Sequence, residues 1–323
     1  MKGIFKMNNS QQLNKNEDRF SALNNPDFID GLMKAAINGN SFAQFHLAKL
    51  YEKGIGVDED FSKAFYWYKT AANNGYADAQ HLIGFCYDQG IYVSENLYEA
   101  ILWYRKAAEQ GYIESQYLLG IYYETGRGVK QDINQAVYWY HKAAKQNSPQ
   151  AQFALGCCYK LGKGVEINIA LTLYWIERAA QLNQIDAMYL LGNLYENGEG
   201  VEKNIKHAIP WYIMAGEKDQ VNAQVKLGFL FYNGEGVETN YIRAAYWHLK
   251  AAENGNVEAQ FRMGAYYNRG EGVEYDIDKA IYWLKKAADQ GHKAAKGTLN
   301  LLLPVSNEDI ENVQMEKNEI FDW

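Results

Sequence analysis

The sequence predicts an all-α chain, a stack of helical hairpins repeated at one fixed period, and three observations lead there. Tryptophan recurs every 36 residues, at Trp67, Trp103, Trp139, Trp175, Trp211, Trp247 and Trp283. Glycine keeps the same interval at Gly54, Gly90, Gly126, Gly162, Gly198, Gly234 and Gly270, with no insertion or deletion. Between these markers apolar residues fall at three- and four-residue spacings, which gather on one side of a helix. Self-similarity at such a period marks supersecondary units that bury their cores by stacking.

The elements follow in order. Residues 1–26 are rich in Asn and Gln, a composition read as a flexible segment. Residues 27–40 carry Ala35 and Ala36 one period before Ala71 and Ala72, so they are read as an N-terminal capping half-unit. Seven units then start near 41, 77, 113, 149, 185, 221 and 257. The first helix of a unit carries a stripe such as Ala43, Leu47, Ala48, Leu50 and Tyr51, and it ends at the Gly54 column. The second opens on the column Asp60, Asn96, Asp132, Asn168, Asn204, Asn240 and Asp276, all good N-caps. Its exit column, Gly75, Gly111, Asn147, Asn183, Asp219, Gly255 and Gly291, holds residues that tolerate left-handed backbone. Residues 293–303 form a closing half-unit, and 304–323 are an acidic tail ending in Phe321-Asp322-Trp323. That tail either folds back onto the stack or acts as a docking motif.

Two antiparallel helices cannot bury their apolar faces alone, so neighbouring hairpins must pack. The phrase "AVYWYHKAA" (136–144), echoed at 64–72 and 280–288, is read as that interface. Small residues let backbones approach, and the tryptophan fills the wedge between units. The small columns include Gly84, Gly120, Gly156, Gly192, Gly228 and Gly264. Departures stand at Tyr92, in a loop-glycine position, at Thr172 in the alanine column, and at Gly216 in the alanine pair. Pro210, inside a helix, predicts a kink or a shifted contact.

Composition narrows the function classes. The net charge is -7, against a surface for nucleic acid or anionic membrane. No apolar run is long enough to span a bilayer and no signal-peptide pattern opens the chain, so a cytoplasmic protein is expected. Signal-independent secretion remains open. Three cysteines make no disulfide framework. Cys86 and Cys158 share a column with leucine and tyrosine and read as core thiols, roughly 20 Å apart by helix-layer spacing. None of the six histidines has a metal-ligand spacing, and no cofactor motif or nucleophile elbow is evident. The G-x-G pairs at 126–128 and 162–164 recur with the period and read as turns, not phosphate loops. No catalytic, cofactor or metal residue is expected.

The repeated residues closely resemble the Sel1-like repeat, a tetratricopeptide relative built on A..LG..Y..G.GV..D...A..W..KAA..G. "SQYLLGIYYETGRGVKQDINQAVYWYHKAAKQN" (115–147) follows that pattern nearly throughout, and the resemblance spans about 36–303. It implies a right-handed α-α superhelix whose concave side binds a protein or peptide, in a bacterial adaptor. It also leaves open an immunity-type inhibitor of a secreted toxin or a host-directed effector. The β-lactam-binding branch of that family has paired cysteines that are missing here.

One stripe is left for a partner. Helical geometry sets positions 45, 49 and 52 of the first helix beside the packing face. Read across the units it supplies Phe85, Asp88, Tyr117, Ile121, Glu124, Phe153, Cys157, Tyr189, Asn193, Phe229, Tyr232 and Phe261. Aromatic anchors with acidic flanks suit an amphipathic, basic peptide. The competing reading is that the aromatic rings merely cover the seams between units. Pairing of two chains through their caps is a further expectation.

Overall fold

The computed structural model describes residues 25–303, and among these every regular element is an α-helix. Before Ile167 they are α1 (Pro26–Ile37), α2 (Ser41–Lys53), α3 (Phe61–Asn73), α4 (Ala77–Gln89), α5 (Leu97–Glu109), α6 (Ile113–Thr125), α7 (Ile133–Lys145) and α8 (Pro149–Leu161). After it come α9 (Ile169–Gln181), α10 (Ile185–Asn197), α11 (Ile205–Gly216), α12 (Val221–Asn233), α13 (Tyr241–Glu253), α14 (Val257–Arg269), α15 (Ile277–Asp289) and α16 (Lys293–Leu302). The chain divides into two compact units between Ile167 and Asn168. Inside each unit, helices touch their sequence neighbours in order, hairpin upon hairpin. The N-terminal segment to residue 24 and the tail from 304 lie outside the described residues.

The caps are where the sequence sets them. Asp60 accepts from the Lys63 N–H at 2.9 Å and Asn240 from that of Arg243 at 2.9 Å, and the other five cap residues do the same. Each first helix of a hairpin stops on a glycine with φ between 61° and 75°. Asn147, Asn183 and Asp219 turn with φ of 64°, 65° and 62°. Tyr92 also takes left-handed backbone, at φ 64°. Its ring stacks 5.9 Å from Phe61 and lies 6.0 Å from Phe65, contacts that offset the backbone cost.

Packing refines the interface. Trp103 sits in one buried cluster with Ala71, Ala72 and Ala79 of the preceding hairpin, and Trp283 does likewise with Ala251 and Ala252. The tryptophan therefore fills the inter-hairpin wedge, as its column suggests. The glycine column serves the next residue, not the tryptophan. A Cβ on Gly120 would stand 2.3 Å from Tyr140 Cε1, and one on Gly192 2.5 Å from Tyr212 Cε1. His248 and Leu284 fill the same place against Gly228 and Gly264. The glycine is the space for a buried ring or branched side chain inside the hairpin.

A polar ladder joins successive hairpins. Buried Gln80 donates to the Ala72 carbonyl at 3.1 Å and Gln116 to that of Ala108 at 2.9 Å. Each accepts in turn from Gln110 and Gln146, at 2.7 and 2.8 Å. The same motif recurs at Gln44, Gln224 and Gln260. Orphan carbonyls at the end of one hairpin are thus satisfied by the next.

The irregular positions are absorbed locally. Thr172 is fully buried, and its hydroxyl donates to the Asn168 carbonyl at 3.0 Å. Pro210 lies on the exposed side of α11, and the helix continues through it to Gly216. Gly216 leaves room for Trp247, whose Cζ3 a Cβ there would meet at 2.9 Å.

Candidate protein-binding surface

The stripe at positions 45, 49 and 52 runs along the first helices of each unit. In the unit before Ile167 it holds Phe85, Asp88, Tyr117, Ile121, Glu124, Phe153 and Cys157, and in the other Tyr189, Asn193, Phe229, Tyr232 and Phe261. Eleven of these twelve residues are half-buried, and Asp88 alone is buried.

Position 52 turns inward. Glu124 accepts from the buried Tyr140 hydroxyl at 2.7 Å, as Glu52 does from Tyr68 at 2.8 Å and Glu196 from Tyr212 at 2.6 Å. Burial and the carboxylate both hold these phenols protonated. Glu124 also pairs with Lys163 at 3.5 Å. Asp88 lies 3.3 Å from Arg127, and Tyr122 bonds to it. Asn193 accepts from Tyr212 at 2.7 Å, and the Tyr232 hydroxyl reaches Glu271 at 3.3 Å. These side chains tie helices together, so the acidic flank is largely committed to the fold.

Position 45 has two tasks. The rings of Tyr117 and Tyr189 lie 5.9 and 5.8 Å from the buried Tyr140 and Tyr212, and Phe261 stacks on His292 of the next hairpin at 4.5 Å. Each ring covers a seam and still keeps part of its surface in solvent. Beside Tyr117 opens a cleft of about 310 Å³ lined by Glu114, Gln146, Ser148 and Gln150. Position 49 is the column least bound by packing. It changes from Phe85 to Ile121, Cys157, Asn193 and Phe229, all half-buried. Arg262 lies over the Phe229 ring, 5.0 Å from its centroid.

The reactive side chains have structural surroundings. Burial pushes the Cys86 thiol up to about 12 and that of Cys158 to about 11. His248 is fully buried, its Nδ1 is 3.0 Å from the Tyr266 hydroxyl, and burial holds its pKa down to about 4. Among the described residues no three His, Cys, Asp or Glu side chains are placed to hold a metal ion. Among them also, no helix is long and apolar enough to cross a membrane.

Comparison with known proteins bears on the repeat itself. The Sel1 repeat model matches seven times without a gap, at 41–76, 77–112, 113–148, 149–184, 185–220, 221–256 and 257–292. No curated protein sequence matches the chain. A Sel1 repeat protein from Oxalobacter formigenes is similar in structure, at 32% identity and a TM-score of 0.72, over 91% of this chain and 90% of that one. The Escherichia coli protein c5321, described as a protective antigen of uropathogenic strains, is similar at 31% identity and a TM-score of 0.80 over 85% of this chain. The present chain spans 59% of the length of c5321.

Proposed function

The chain belongs to the Sel1-repeat family, whose members mediate protein–protein interaction, and from that premise we propose that it is a non-enzymatic adaptor. It binds an extended or helical segment of another protein along the first-helix stripe. One observation carries this reading: position 49 varies in size and polarity from hairpin to hairpin, while the columns on either side repeat. A surface read by a partner has that freedom, because no neighbouring hairpin constrains it. Tyr117, Phe153, Tyr189, Phe229 and Phe261 supply half-exposed aromatic area of the kind that anchors interfaces. Exposed Glu114 at the cleft favours a segment with a basic residue near its apolar anchor.

The test is recovery of partners from native lysate by the whole protein and by a variant with Phe85, Tyr117, Tyr189 and Phe229 changed to Ala. Loss of a specific partner, with helicity and melting temperature kept, supports the stripe. Equal recovery by both proteins removes it.

A further inference from the structure

The last helix, α16, occupies the place of a first helix with no second helix behind it. Its register is fixed by Ala295, which is fully buried in the Ala43 and Ala259 column. Two positions of that face are at most 4% exposed in every other first helix, from Leu47 and Leu50 to Met263 and Tyr266. In α16 they are Leu299 and Leu302, and both are only half-buried. Beside them Leu303 is 42% exposed and Leu301 is 87% exposed. The same helix has exposed Lys293 and Lys296 and no acidic residue, and exposed Lys285 and Lys286 stand on α15.

We propose that residues 306–323 form an amphipathic helix that docks on α16, where each complete hairpin has its second helix. The occupant is chosen by position, pattern and charge. The segment leaves α16 directly: Pro304 breaks the helix, and 303–306 is long enough to reverse an antiparallel pair. Ser306 with Asp309 three residues later is a capping-box spacing. Ile310, Val313, Ile320 and Phe321 then lie within one helical arc, with Lys317 among them. The segment from 304 carries six acidic residues and one lysine, a net charge of -5, and faces the lysines of α15 and α16. The first-helix stripe is a worse seat, since Glu114 and Glu124 would repel it. This docking is independent of the adaptor reading.

Amide hydrogen exchange on the full chain tests it, alongside the variants Val313→Asp, which charges the apolar arc, and Lys296→Glu, which reverses the complementary charge. Both substitutions lie outside the buried hairpins, so circular dichroism should be unchanged. Exchange at 299–303 should be about tenfold slower in the parent than in Val313→Asp, with Lys296→Glu between them. Equal exchange in all three proteins overturns the proposal. So does protection that rises with protein concentration, tracks a dimer in sedimentation and ignores Val313→Asp, because a second copy would then cover α16.

Discussion

The space that Gly120 leaves for Tyr140 can be measured. Replacing Gly120 with Ala puts a methyl group 2.3 Å from Cε1 and 2.4 Å from Cδ1 of the Tyr140 ring. The ring cannot yield cheaply, since Tyr140 is 1% exposed and its hydroxyl donates to Glu124 at 2.7 Å. Overpacking a close-fitted core costs about 1–3 kcal/mol. If the ring swings away, the bond to a charged acceptor adds about 1.5–3 kcal/mol. Against these, alanine gains about 1 kcal/mol over glycine as a helix former. The net expectation is a loss of about 2 kcal/mol. Urea unfolding followed by tryptophan fluorescence reads it, because Trp139 adjoins the perturbed ring. Gly297 supplies the control: it lies in α16 with nothing within 4 Å of an added Cβ. Gly297→Ala should therefore stabilise, by up to about 1 kcal/mol. The reasoning fails if Gly120→Ala is as stable as the parent, or if the two substitutions shift stability in the same direction.

Two further outcomes follow from the buried polar groups. Gln116→Ala strips one donor from the Ala108 carbonyl and the acceptor of Gln146, and should cost about 1–3 kcal/mol in the same unfolding assay. Gln152→Ala should cost less, because Gln152 bonds to Ala144 while its Oε1 has no hydrogen-bond partner. His248 predicts an acid-sensitive core. Its folded pKa, held down to about 4 by burial and by Arg262, lies below the unfolded value near 6.5. The unfolded chain thus binds the extra proton first. The stability from keeping the ring neutral is complete above about pH 6.5 and is lost as pH falls toward 4, on the order of 3 kcal/mol. His248→Leu, which copies Leu284, should flatten melting temperature against pH across that window.

The hairpin was legible because its demands are local and repeated. A cap needs Asn or Asp, a left-handed exit needs Gly, Asn or Asp, and seven copies of each made the pattern unmistakable. What stayed hidden is who touches whom across hairpins. The Gly120 column looked like tryptophan's companion, yet its partner is the adjacent Tyr140, one residue further round the helix. The glutamine ladder could have been read from Gln44, Gln80, Gln116, Gln152, Gln224 and Gln260 at the same period, with Asn or Gln 30 residues after five of them. Hydropathy treats those glutamines as solvent-facing, and only burial shows them bridging hairpins.

The binding stripe was half legible, and the reason lies in how a repeat constrains its own surface. Helical spacing groups positions 45, 49 and 52 but cannot say which of them the next helix will claim. Position 52 is claimed wherever a tyrosine hydroxyl needs a carboxylate, as at Glu52, Glu124 and Glu196. Position 45 is partly claimed by the seams, so its aromatic character follows from packing without any partner. Position 49 answers to neither demand. If the chain only had to fold, that column could hold any soluble residue in every hairpin. Phe85, Ile121 and Phe229 instead keep apolar surface partly in water, at a cost that a bound segment would recover.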